Sequence, residues 1–142
     1  MIRYVHTNII AKDCERLINF YKEVFGCRSI GEKRDLRGQW LDSMTGLTGA
    51  HIAGEHLCLP GYGEDHPTLE IFSYDQMCAG QAHRINEPGI AHIAFEVDDV
   101  ARTLEKVLKA GGGTVGELVR ADYEDGRRAT FVYATDPEGN IV

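Results

Sequence analysis

Over residues 4–10 and again over residues 90–97 one strand parity is more apolar than the other. Both stretches are rich in β-branched and aromatic residues and short enough to be strands. Each is followed by a period near 3.6. Leu17, Phe20, Tyr21, Val24 and Phe25 form one apolar stripe, and Val100, Leu104, Val107 and Leu108 form another. Asp13 opens the first helix, and Asp98 or Asp99 the second, because a carboxylate caps free amides and suits the positive end of the helix dipole. Gly26 and Gly111 supply the left-handed stops. Further strands are expected over residues 28–33, 49–59 and 68–74, then over 113–121 and 127–135. The turn Asp136-Pro137-Glu138-Gly139-Asn140 leads into Ile141 and Val142, which begin one more. Residues 36–47, with Trp40 and Met44, are an extra piece that reads as a short helix. Residues 75–88 are polar.

The chain therefore repeats itself. Its first strand, acidic helix start, helix and glycine stop recur later, carrying His6 onto His92, Asp13 onto Asp99 and Gly26 onto Gly112. The expected fold is α+β: one domain over residues 1–142 made of two βαβββ modules, at about 1–75 and 89–142, joined by a linker at 76–88. The helices must cover the more apolar face of each sheet. That face takes Val5, Thr7 and Ile9 in the first strand, Leu69 and Ile71 in the fourth, and Ala91, Ile93 and Phe95 in the fifth. His6, Glu70, Phe72, Tyr74 and His92 then share the opposite, concave side. His51 and His56 have opposite parity in the third strand, so one of them faces that side as a candidate substrate contact.

Composition narrows the function. Hydrophobic residues make up 43% and charged residues 26%, which suits a globular chain and excludes a disordered one. No apolar run approaches the ~18 residues of a membrane span. The first apolar stretch is broken by His6 and Asn8, unlike a signal peptide, so a cytoplasmic protein is expected. The net charge is −7, from 15 Lys and Arg against 22 Asp and Glu, and no basic face offsets it. Nucleic acid is not an expected partner. Cys14, Cys27, Cys58 and Cys78 match no zinc motif and read as free thiols. Imidazole and carboxylate on one face suit a divalent Zn, Ni, Co, Mn or Fe ion.

The paired modules, the two strand histidines, the segment Pro67-Thr68-Leu69-Glu70-Ile71 and the Asp136-Pro137-Glu138-Gly139-Asn140 turn resemble the vicinal oxygen chelate superfamily. Glyoxalase I, methylmalonyl-CoA epimerase, extradiol dioxygenases and the fosfomycin and bleomycin resistance proteins belong to it. The resemblance covers nearly the whole chain. It implies a cup-shaped mixed sheet with helices outside, and a divalent metal ion held by His6, Glu70 and His92. It also implies a fourth ligand, a glutamate at the position after Val142, serving as proton-transfer base. The expected chemistry is a glyoxalase I-like lyase or isomerase reaction: a small molecule chelates the metal through adjacent oxygens and loses a proton from the carbon beside its carbonyl. Glu70 is the catalytic carboxylate within residues 1–142, and its place on the fourth strand fits glyoxalase-like enzymes better than extradiol dioxygenases. The alternatives are an epimerase acting beside a thioester, or a protein that binds a small molecule in the same cup without chemistry. Trp40, in the inserted piece, is expected near the cup mouth as a hydrophobic anchor or substrate contact, and Phe72 and Tyr74 in the cup wall. Open sheet edges and the resemblance together predict a homodimer.

Overall fold

The computed structural model describes residues 1–63 and 66–142. It resolves into two compact units, Met1–Gly80 and Gln81–Val142. The first unit runs β1 (His6–Ile10), α1 (Cys14–Phe25), β2 (Arg28–Arg37), α2 (Gln39–Thr45), β3 (His51–Cys58) and β4 (Thr68–Tyr74). Its strands form one mixed sheet in the order β1-β4-β3-β2, with β1 parallel to β4 and the other pairs antiparallel. The helix stripe read from the sequence is the buried one: Leu17, Ile18, Phe20, Tyr21 and Val24 pack α1 onto the sheet. Leu57, Leu69 and Ile71 of β3 and β4 meet it from below, all at most 2% exposed. The Asp13 side chain accepts from the Arg16 amide, and Gly26 closes the helix at φ 72°.

Two features of this unit differ from expectation. β2 extends to Arg37 and not to residue 33, crossing a bulge between Ile30 and Arg34 that includes Gly31 at φ 70°. The charged run Glu32-Lys33-Arg34-Asp35 hides the strand because β2 is an edge, where polar side chains are tolerated. The inserted helix is shorter than the expected piece, and its anchor is Leu41, which is fully buried with Ala50 and Ile52. Trp40 is 54% exposed.

The second unit contains α3 (Val100–Lys109), β5 (Gly113–Thr114), β6 (Val119–Asp122), β7 (Arg128–Phe131) and β8 (Ala134–Thr135). Asp99 caps α3, and Gly111 follows it at φ 89°. A Cβ at Gly112 would overlap the Thr135 carbonyl oxygen and stand 2.6 Å from Val107 Cγ1, so glycine lets α3 turn directly onto β8. The two long strands expected here are each broken in two. The ladders are short: β5 pairs with β8, and β6 with β7. Residues 90–97 form no strand. Their alternation survives, with Ala91, Ile93, Phe95 and Val97 half-buried and His92, Ala94 and Glu96 exposed. A strand also needs a ladder of backbone hydrogen bonds; here the Ile93 amide donates to the Ile141 oxygen (3.3 Å), and no ladder pairing forms over 90–97 among the described residues. The Asp136 carboxylate, 2% exposed, accepts from the amides of Glu138 and Asn140 and from the Asn140 side chain at 2.9–3.0 Å, which fixes the turn before Ile141. No helix among the described residues is long and apolar enough to cross a membrane.

On the α1 face a cavity of about 490 Å³ is floored by Glu55. This buried carboxylate accepts from the Ser29 hydroxyl, Lys22 Nζ (3.1 Å) and Lys33 Nζ (3.4 Å). Burial works to raise its pKa. Ser29 and the two ammonium groups outweigh burial and hold it below the ordinary 4.5. The stability it adds is therefore present above that pH and lost as pH falls through the lowered value. Glu55→Gln should cost about 1 kcal/mol at pH 7, and the gap between variant and wild type in urea unfolding should close as pH falls below 4.5. A gap independent of pH would contradict the ion pairing.

Candidate metal and proton-transfer site

Cross-strand register puts three side chains in one row. Asn8 of β1 is opposite Glu70 of β4, and Glu70 is opposite His56 of β3. Side chains in register across a sheet point to the same face, here the face away from α1. His6 lies two residues before Asn8 and shares that face. The result is a carboxylate only 8% exposed with both oxygens met. His56 Nε2 stands 2.8 Å from Oε1, while His6 Nε2 and Asn8 Nδ2 stand 3.3 Å from Oε2. Burial holds the His56 imidazole below its ordinary pKa; Glu70 pulls the other way, and Arg34 and His6 add to the lowering. The 2.8 Å contact with Glu70 Oε1 calls for a proton on Nε2. The rings of His6 and His56 meet edge-on at 6.4 Å, and Phe72 meets the other side of His56 at 5.7 Å.

The remaining sequence candidates separate. Phe72 and Tyr74, both partly buried, pack with Leu36 against Leu41, Ala50 and Ile52, so α2 covers that end of the face. His51 is in register with Arg37 and lies on the α1 side, where its Nε2 pairs with Asp35 Oδ1 at 2.7 Å. Arg37 pairs with the same carboxylate at 2.9 Å. Parity thus resolves in favour of His56, whose contact is Glu70. Trp40 is exposed on α2. His92 lies in the second unit, with its ring 5.2 Å from that of Tyr133. Asn8 was not singled out from the sequence, although it shares the parity of His6; the β1–β4 register that makes it useful has no sequence signal.

Among the described residues no group of three or more His, Cys, Asp or Glu side chains is arranged to hold a metal ion. His6 and Glu70 nevertheless fit one as a pair. An ion with bonds of about 2.0–2.2 Å needs neighbouring donors roughly 3.0–3.4 Å apart, and Nε2 and Oε2 are 3.3 Å apart. A buried carboxylate and an exposed imidazole are donors that borderline divalent metals accept.

Residues 3–142 match the family model of the glyoxalase/bleomycin resistance protein/dioxygenase superfamily. The chain belongs to this superfamily. Lactoylglutathione lyases of two Neisseria meningitidis strains, serogroups A and B, are 24% identical over 143 residues, covering 97% of this chain and 86% of theirs. Among solved structures, a glyoxalase family protein from Bacillus cereus superposes with a TM-score of 0.82 at 22% identity, over 99% of this chain and 91% of that one. The fosfomycin resistance protein FosX from Listeria monocytogenes, solved with Mn(II) and 1S,2S-dihydroxypropylphosphonic acid, gives 0.54 at 17% identity over 99% and 90%. These likenesses establish a mixed α+β glyoxalase-superfamily fold.

Within that superfamily fold, Gly54 sets how closely β3 approaches β4. It sits at φ 158° opposite Phe72, and an added Cβ would overlap the Ile71 carbonyl oxygen and press within 2.6 Å of Phe72 Cδ1. Gly54→Ala should lower stability by about 1–3 kcal/mol, read from the urea midpoint. Unchanged stability would show that β3 and β4 have more room than this.

Proposed function

We propose that the protein is a metal-dependent lyase or isomerase of the glyoxalase I type, acting by proton transfer on a small molecule with adjacent oxygens. The observation that carries this reading is the buried Glu70 carboxylate with the His6 imidazole 3.3 Å from its Oε2. Superfamily membership and the lactoylglutathione lyases among its relatives support it. His6 and Glu70 would hold a divalent Zn, Ni, Co, Mn or Fe ion. When bound, the ion supplies Lewis-acid polarisation of a substrate carbonyl. Glu70 supplies the proton carrier: its carboxylate is shielded from bulk water and fixed from both sides, and it takes a proton from the carbon beside the carbonyl and returns it. Asn8 donates its side-chain amide to Oε2 at 3.3 Å.

The test is hydrogen exchange in D₂O at the carbon next to the carbonyl. The probes are S-lactoylglutathione and simple 2-hydroxy ketones and thioesters, with the protein loaded in turn with each of the five metals. Exchange should appear with at least one metal and vanish with a chelator. It should fall by about 10²-fold or more in Glu70→Gln. No exchange from any probe with metal bound would overturn the enzymatic reading and leave a small-molecule-binding protein.

A further inference from the structure

The proposed chemistry uses His6 and Glu70 and leaves the closest neighbour of Glu70 without a role. His56 Nε2 is 2.8 Å from Glu70 Oε1, nearer than either group on Oε2. The contact is built in by the backbone, since His56 and Glu70 are opposite residues in the antiparallel β3–β4 ladder. The imidazole is itself held, with Phe72 edge-on at 5.7 Å. A carboxylate whose oxygens are equivalent can rotate and offer either one to His6. A donor fixed on Oε1 removes that freedom and leaves Oε2 facing His6 and Asn8. We propose that His56 is a positioning residue for the metal centre: its Nε2–H holds Oε1 of Glu70 so that Oε2 stays beside His6 Nε2, ready to coordinate. The inference rests on the reading of His6 and Glu70 as metal-holding residues. An imidazole N–H suits the task better than an ammonium group, which would set a second positive charge beside a cation.

The test is the affinity of the protein for Zn²⁺ or Co²⁺ alone, measured by titration for wild type, His56→Leu and His56→Gln. Leucine fills similar space without a donor, and glutamine keeps an N–H at similar reach. The expected result is a loss of about 10–100-fold for His56→Leu, with His56→Gln within about threefold of wild type; His56→Leu melts below the other two because Oε1 loses its donor, so affinity is read at a temperature where all three proteins are folded. Wild-type affinity in His56→Leu, or equal weakness in both variants, would overturn the positioning role. A second measurement needs no variant. In ¹⁵N NMR of the wild-type protein, the His56 Nε2–H should keep its proton as metal is added. Loss of that proton would make His56 a ligand and overturn the proposal. A wild type that takes up no metal would overturn the metal reading itself, whereas metal binding indifferent to His56 would overturn only this inference.

Discussion

A carboxylate withdrawn from water must be met on both oxygens, because an unpaired buried charge costs several kcal/mol. Glu70 imposes that condition on the first unit. Three of its four strands answer it: β4 carries the carboxylate, β1 brings His6 and Asn8, and β3 brings His56. No one of these groups is enough. The parallel β1–β4 register and the antiparallel β4–β3 register must both be correct for Asn8, Glu70 and His56 to form one row. A slip of one residue in either strand would turn its side chains to the α1 face.

The rest of the unit secures those registers. On one face, α1 presses its apolar stripe onto Leu57, Leu69 and Ile71. On the other, Leu41 of α2 buries the far end of the face under Phe72 and Tyr74 and leaves the His6 end open. Glu55 shows the contrasting use of a buried carboxylate. Two lysines and a serine saturate it, so it stabilises the edge of the sheet and has no free oxygen to offer. Glu70 is met instead by imidazole and amide groups, of which an imidazole can give way to a metal ion.

Much of this was legible in the sequence because it depends on parity. The alternation in β1 and β4 put His6, Glu70, Phe72 and Tyr74 on one side, and the repeat identified the helices with their aspartate caps. Register is not carried by alternation. Asn8 and His56 therefore did not emerge as partners of Glu70, and His51 stayed level with His56 until the β2–β3 pairing turned it towards Asp35. The bulge at Gly31 hid half of β2 behind a run of charges. Residues 90–97 show the opposite failure: their pattern is that of a strand, but pairing is a tertiary property, and among the described residues they join no sheet. On α2 it is Leu41 that the helix turns inward, while Trp40 is exposed.

The central claim is that Glu70 Oε2 and His6 Nε2 form one edge of a divalent metal site. The most direct measurement is a crystal structure of the protein soaked with Zn²⁺ or Mn²⁺, with data collected at the metal absorption edge. The account predicts an anomalous peak about 2.0–2.2 Å from both atoms, with His56 still bonded to Oε1. A metal peak elsewhere, with the His6–Glu70 pair intact and unligated, would contradict it.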